Sequence, residues 1–320
     1  MKQRKIHSLL LIGVITLVSG VMVACTKDLG LDDKDRIHAS DKYVTFNVDG
    51  SADDVTTRGS QASASSLTAG FGVSASVYPS SGTYTNYAGG NYFYKIMARP
   101  NTATSYFWPT SDYRISFYAY YPYASSIFTV QSSESANGAP VYAYVVPESI
   151  ASQLDIMTTQ RTNMACTSVA PVSLSFEHRC SDIRFSVHNQ SYQDLTLKSI
   201  SIYGVKYSGT LTESTWTLTG SVNSSSSHPF TLSPNRTITA GSTVDVTGTS
   251  NHFLMIPQTI PAGTALIVAI TTENGQDKTY THTLPANFTW EQGNAYTYTL
   301  ILGDGDMVVY SNITIGNWSI

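Results

Sequence analysis

Short segments in which apolar and polar residues alternate follow one another along most of this chain, beginning at residue 43. In the first of them, Tyr43–Val48, the apolar residues Val44, Phe46 and Val48 are separated by more polar ones. Alternation with a period of two is the pattern of a β-strand that buries one face. No segment keeps a helical apolar period for three turns. The sequence therefore predicts a nearly all-β protein.

Further segments of this kind predict strands on both sides of Pro171, and residues 162–170 before it show no clear pattern. The predicted strands are Phe71–Tyr78, Tyr92–Met97, Tyr113–Tyr121, Val141–Val146, Leu195–Tyr203, Thr215–Thr219, Thr243–Val246, Phe253–Ile256, Ala265–Thr272, Lys278–Leu284 and Asn294–Leu302. Two β-sandwiches in series, over residues 43–167 and 168–320, account for this arrangement most simply.

The alternation changes phase just after Pro171. It runs from Val172 to Cys180 and resumes one position out of phase at Ile183. A slip of one residue inside a strand pair is what a β-bulge produces. We therefore expect a bulged strand pair here.

The first 24 residues have the pattern of an export signal. A basic start at residues 2–5 precedes the apolar run Leu9–Val23, which is too short to span a bilayer, and Ala24-Cys25 ends the run. A small residue followed by Cys at this point is typical of a bacterial lipoprotein signal, in which Cys25 is diacylated after cleavage. The alternative is an ordinary secretory signal peptide with a Cys near its end.

The chain after the signal is acidic. Residues 25–42 contain five aspartates and lack periodicity, which predicts a flexible acidic tether. From Cys25 onward 15 Lys and Arg residues stand against 22 Asp and Glu residues, a formal charge of −7. This balance argues against binding to nucleic acid or to an anionic lipid surface by charge.

Cys166 and Cys180 are the cysteines besides Cys25. They could form one disulfide in an oxidising compartment. The alternative is two buried free thiols that behave as small apolar side chains. The sequence leaves both open.

Several motifs stand in an order and at spacings that resemble the fimbrillin family, in its Mfa-like branch from Gram-negative oral and gut anaerobes. Besides Cys25 and the first strand, they are Thr57-Arg58-Gly59, Phe107-Trp108-Pro109, Ile115–Pro122, Asp155-Ile156-Met157, Leu174–His178, Ile183-Arg184-Phe185, Ile200–Val205 and Tyr296–Leu300. Together they extend over almost the whole chain after the signal.

The resemblance implies two tandem transthyretin-like β-sandwiches and a subunit of the lipoprotein-derived pili sometimes called type V. It implies a surface-exposed lipoprotein of the cell outer membrane and a proteolytic cut between Arg58 and Gly59, in the loop after the first strand. The strand with Val44, Phe46 and Val48 would then be displaced, and a neighbouring subunit would insert a strand into its groove. The expected partners are other fimbrial subunits, the outer membrane through the N-terminal lipid, and a host or bacterial surface receptor or glycan.

The tail, residues 306–320, carries Val309, Ile313 and Ile315 at even spacing, with Trp318 near its end. It is either a donor strand for a neighbouring subunit or the last strand of the second sandwich. The sequence alone favours the last strand.

The sequence predicts no enzyme, no cofactor and no metal site. The seven histidines show no short ligand spacing, and no nucleophile elbow, phosphate loop or EF-hand ladder occurs. His178 lies in strand phase with Phe176 and Cys180, so it is expected to be a core or edge histidine and not a catalytic base.

The aromatic residues leave a rival function open. Four tryptophans, Trp108, Trp216, Trp290 and Trp318, together with many of the 21 tyrosines, could stack on sugars, although aromatic residues in strand phase more often belong to a core. The rival is a surface lipoprotein that binds glycan and does not polymerise, and a tip adhesin would combine both roles.

Overall fold

The structure is a computed structural model of the chain, and it describes residues 42–49, 64–81, 91–123, 125–126, 128–134, 138–167, 170–260, 266–273, 275–284, 287–303 and 312–318. Its helical elements in these residues are α1 (Ala64–Thr68) and a 3₁₀ turn at Ile150–Ser152. Up to residue 178 the strands are β1 (Tyr43–Val48), β2 (Phe71–Pro79), β3 (Asn91–Ala98), β4 (Ala103–Phe107), β5 (Tyr113–Tyr121), β6 (Phe128–Glu134), β7 (Pro140–Val145), β8 (Met157–Ala165), β9 (Val172–Leu174) and β10 (Glu177–His178).

The strands after residue 178 are β11 (Ser181–Asn189), β12 (Leu195–Tyr203), β13 (Lys206–Thr212), β14 (Thr215–Val222), β15 (Phe230–Leu232), β16 (Arg236–Ile238), β17 (Thr243–Asp245), β18 (Phe253–Met255), β19 (Gln258–Ile260), β20 (Leu266–Glu273), β21 (Gln276–Thr283), β22 (Phe288–Trp290), β23 (Asn294–Leu302) and β24 (Asn312–Asn317). The prediction of an all-β fold is confirmed.

Two sheets enclose a hydrophobic cluster that we term the first core. One sheet has the strand order β4-β1-β9 and the other has the order β10-β8-β5-β2-β3. The buried members of the first core are Val44, Phe46, Leu67, Phe71, Val73, Ala75, Phe93, Ala98, Trp108, Ile115, Phe117, Ala119, Met157, Cys166, Val172, Leu174 and Phe176. Both sheets contribute to this cluster. Within a strand such as β5, alternate residues point to the same side and so enter the core together.

The remaining sheets surround a larger cluster that we term the second core. Their strand orders are β17-β11-β23-β24 with β18 beside β11, β15-β12-β20-β21 with β16 beside β12, β14-β13-β7-β6, and the pair β19-β22. The longest parallel ladder joins β11 to β23, from Asp182 opposite Ala295 to Asn189 opposite Leu302.

Where the alternation is clean, the predicted strands match the structure closely. Tyr43–Val48, Tyr113–Tyr121, Leu195–Tyr203 and Asn294–Leu302 have the predicted bounds. Each of these segments alternates apolar and polar residues along most of its length, and each contributes buried residues to a core.

The bulged strand pair predicted after Pro171 is wrong. The segment instead divides into β9, β10 and β11, and these three strands belong to three different sheets. The single change of phase, between Cys180 and Ile183, lies where the chain passes from β10 into β11, whereas the passage from β9 to β10 leaves the phase unchanged. Alternation records which side chains are buried, and it does not record which sheet buries them.

Strand pairing crosses the predicted boundary between residues 167 and 168. On its C-terminal side, β9 pairs with β1 and β10 pairs with β8. On its N-terminal side, β7 pairs with β13 and so joins a sheet of the second core. The two cores therefore do not follow a single cut in the chain, and the domain limits stay a prediction.

Both cysteines that the structure describes are free thiols, so the disulfide alternative is not formed in it. Cys166 belongs to the first core and Cys180 to the second, and both are buried. Burial raises the pKa of the Cys166 thiol to about 12 and also raises the pKa of Cys180. Both thiols should therefore stay protonated and unreactive while the chain is folded.

Candidate functional site: the first strand and its groove

The first strand fills a groove between two strands that it alone connects within the described residues. It runs antiparallel to β4, with Thr45 opposite Ala103, and parallel to β9, with Phe46 opposite Val172. Without β1, both neighbours would present unpaired backbone groups to the empty groove. Such groups are costly when buried and readily pair with another strand.

The face of β1 that points into the first core carries the predicted apolar residues. Val44 and Phe46 are fully buried, and Val48 is half-buried and packs against the same core. The Phe46 ring meets Phe117 edge-on with 5.3 Å between ring centroids, and it meets Phe71 at 6.2 Å. The sequence thus identified both the strand and the side chains that hold it.

Backbone hydrogen bonds fix both ends and the middle of β1. The Trp108 amide donates to the Lys42 carbonyl at 3.2 Å, and the Asn101 amide donates to the Phe46 carbonyl at 2.8 Å. Beyond the last residue of the strand, the Asp49 amide donates to the Leu174 carbonyl at 3.0 Å. A replacement strand would have to supply the same backbone groups, which any extended peptide can do.

One polar atom on β1 is poorly accommodated. The Asn47 side-chain oxygen Oδ1 is buried and has no hydrogen-bond partner among the described residues. A buried acceptor without a partner costs free energy of about 1–3 kcal/mol. The fit of β1 in its groove is therefore tight on the core face and imperfect at this position.

The tail forms β24 beside β23, and it is an edge strand of the described sheet. Along β24, Ile313 is half-buried and Ile315 is 59% exposed. Trp318, just after the strand, is buried and stacks on His178 with 4.1 Å between the rings. In this structure the tail is therefore the last strand of its sheet, as in one of the two alternatives.

The residues of the predicted lipidation and cutting lie outside the described residues. They are Cys25, Arg58 and Gly59. Their roles stay predictions. The structure does bring together the displaced-strand residues Val44 and Phe46 in one groove, and it keeps Cys166 and Cys180 in separate cores.

Two buried histidine–aspartate pairs were not anticipated from the sequence. His178 Nδ1 lies 2.8 Å from Asp155 Oδ1, and His252 Nδ1 lies 3.1 Å from Asp182 Oδ1. The expectation that His178 is a core residue is confirmed, since it is 3% exposed. The paired residues are far apart in the chain, so no local spacing could have revealed them. The His178 imidazole is held by its hydrogen bond to Asp155, whereas His252 Nδ1 and Asp182 Oδ1 are close without hydrogen-bond geometry.

None of the four tryptophans presents an open platform to solvent. Trp108, Trp290 and Trp318 are buried. Trp216 is half-buried against the second core, and its indole N–H donates to the Arg179 carbonyl at 2.6 Å. As expected, Trp108, Trp290 and Trp318 belong to the cores, and Trp216 packs against the second core without being fully buried. Their burial leaves tyrosines such as the exposed Tyr192 as the remaining aromatic support for the glycan-binding rival.

Two features are absent from the described residues. No helix there has both the length and the apolar character needed to cross a bilayer. No group of three or more His, Cys, Asp or Glu side chains there is placed to hold a metal ion.

Comparisons with known proteins match nearly all of the described chain. A family model described as fimbrillin-like matches residues 44–318. A fimbrial protein from Bacteroides vulgatus superimposes with a TM-score of 0.66 at 17% identity, over 87% of this chain and 100% of its own. Candidate cell adhesion proteins from Bacteroides ovatus and Bacteroides uniformis give TM-scores of 0.53 and 0.51 at 14% identity, over 87% and 88% of this chain and 97% and 99% of theirs. The comparison with curated proteins gave no match.

Proposed function

Because the chain belongs to the fimbrillin-like family, we propose that it is a fimbrial subunit or adhesin assembled by exchange of its first strand. It is exported as a lipoprotein and anchored in the outer membrane through Cys25. A protease then cuts between Arg58 and Gly59. A strand from a neighbouring subunit replaces β1 in the groove. Family membership implies a cell-surface location, and the finer steps belong to this proposal.

The observation that carries the proposal is the position of β1. It is a single strand with two buried anchors, and it pairs with β4 on one side and β9 on the other. In the chain, residues 50–63 separate it from the next described element, α1, and Arg58 lies in that interval. A cut there would sever β1 from the rest of the fold without breaking any described strand.

The energetics explain why an emptied groove would be filled again. Full burial of Val44 and Phe46 is worth about 1.5–3 kcal/mol each. The net stability of a whole domain is only about 5–15 kcal/mol. Loss of β1 would also leave the backbone groups of β4 and β9 unpaired. The chain without β1 is therefore unstable alone, and a strand from another copy restores both terms.

The tail is the proposed source of that strand. Ile313 and Ile315 repeat the even spacing of Val44 and Phe46 in the sequence. As an edge strand among the described residues, β24 pairs on one side only, and its Ile315 is largely exposed. Detaching β24 would thus cost fewer contacts than detaching a central strand.

Cleavage by an Arg-specific protease tests the proposal. We expect Gly59 as the new N-terminus, followed by an SDS-resistant ladder of oligomers. Arg58→Ala should abolish both products. Arg36→Ala, the matched control on the other side of β1, should leave both unchanged. Polymers whose subunits still begin before residue 43 would contradict the proposal.

A further inference from the structure

One short stretch of chain touches both partners of the proposed exchange. We call Val172–His178, which contains β9 and β10, the linking segment. Its first half pairs with β1, and its last residue stacks on the end of the tail. β1 and the tail are thus connected through seven consecutive residues.

At its N-terminal end, the linking segment is held by β1. The pairs are Phe46 opposite Val172 and Val48 opposite Leu174. The Asp49 amide extends this ladder with a bond of 3.0 Å to the Leu174 carbonyl. Displacement of β1 would therefore remove the backbone partners of β9 on this side.

In its middle, the linking segment is held by an aromatic chain that also begins at β1. Phe176 is 3% exposed, and its ring meets Phe71 edge-on at 5.3 Å. Phe71 in turn meets Phe46 at 6.2 Å. Loss of the Phe46 side chain would open a cavity beside Phe71 and so weaken the packing of Phe71 against Phe176.

At its C-terminal end, the linking segment holds the tail. The His178 and Trp318 rings are nearly parallel, with 8° between their planes. Asp155 orients the imidazole through Nδ1, and the other ring nitrogen, Nε2, is buried without a hydrogen-bond partner among the described residues. The imidazole therefore has no hydrogen bond at Nε2 to keep it in place if the backbone at His178 shifts.

We propose that β1 and β24 are coupled through the linking segment, so that displacement of β1 releases Trp318 and frees the tail. The proposal rests on the proposed function, in which β1 is displaced and the tail is the donor. A subunit with its own strand in place keeps its tail docked. A subunit whose groove has been emptied offers its tail to the next one. The coupling would make assembly follow processing.

Hydrogen exchange on the full chain tests the coupling, with Phe46→Ala as the perturbation. Coupling free energies between sites usually correspond to roughly 5–150-fold changes. We therefore expect exchange of the amides in residues 312–317 to accelerate at least about fivefold. Phe93→Ala is the matched control, because Phe93 is a buried phenylalanine of the same core on β3, away from the linking segment. Phe93→Ala should leave the exchange of the tail amides unchanged. Both variants should leave the exchange of the β12 amides unchanged.

Equal acceleration of tail exchange in both variants, or no acceleration in either of them, would overturn the coupling. Phe46→Leu replaces Phe46→Ala if the alanine variant does not fold. In a His178→Ala background the tail should already exchange rapidly, and Phe46→Ala should add little. Multiplicative effects of the two substitutions would also refute the link.

The ladder assay separates this inference from the proposed function. If tail exchange responds to Phe46→Ala but cleaved chains form no polymer, the coupling stands and the assembly role fails. If cleaved chains polymerise while Phe46→Ala leaves the exchange rate of the tail amides unchanged, the assembly role stands and the coupling fails.

Discussion

Replacing Phe46 by alanine should lower the stability of the first core by about 3–5 kcal/mol. The side chain is fully buried, and its ring contacts Phe117 and Phe71 edge-on. Truncation therefore removes apolar burial, leaves a cavity and breaks two aromatic contacts. An effect of this size is comparable with the lower end of the net stability of a domain, about 5–15 kcal/mol.

The two free cysteines supply an assay for each core separately. Cys166 reports on the first core and Cys180 on the second. We would measure the urea dependence of thiol labelling at each cysteine by mass spectrometry. In Phe46→Ala the free energy that protects Cys166 should fall by the full amount, and that of Cys180 should fall less.

Tyr192→Ala is the control for this assay, because the Tyr192 side chain is 93% exposed. It should change either value by no more than about 0.5 kcal/mol. If the free energy that protects Cys166 from labelling falls by less than about 1 kcal/mol in Phe46→Ala, the Phe46 ring does not hold β1 in its groove. This result would refute the reasoning on the groove.

Three further predictions follow from single positions. Asn47→Val removes the buried acceptor without a partner, so it should stabilise the first core by about 1 kcal/mol and slow polymer formation; lower stability in urea would contradict this. Gly72→Ala would place a Cβ 2.1 Å from Cζ of the buried Tyr120, so it should lower stability by about 1–3 kcal/mol, and an unchanged melting temperature would be inconsistent with the packing. At pH 8 the folded chain should resist thiol labelling at Cys166, because burial raises the pKa of this thiol to about 12. After unfolding, both core cysteines should be labelled without reductant. A need for reductant would point to a disulfide.

The parts of the fold that the sequence predicted share one property. In β1 the apolar residues alternate without interruption, and in β12 they alternate on each side of an irregularity between Leu197 and Ser199, so local pattern and burial agree. β4 was missed because Ala103–Phe107 is mostly small and polar, and it becomes a strand by pairing with β1. Its conformation is determined by its neighbour more than by its own residues.

The parts of the site that could not be predicted depend on contacts across the chain. The stack of His178 on Trp318 joins residues 140 positions apart, and Asp155 belongs to a loop before β8. The tail pattern indicated a strand, but spacing cannot tell a docked edge strand from a donor. That distinction depends on how much of each side chain is buried, which only the folded chain shows.

A disulfide between β1 and β4 tests the central claim, that β1 must leave its groove for assembly. Thr45 and Ala103 are opposite each other in the antiparallel pair. Their Cα atoms should lie about 4.5–5.5 Å apart, within the range of a disulfide. After cleavage by the Arg-specific protease, oxidised Thr45→Cys/Ala103→Cys should stay monomeric, and reduction should restore the SDS-resistant ladder. Thr45→Cys alone should polymerise under both conditions. A bridged variant that polymerises as well as its reduced form would contradict strand exchange.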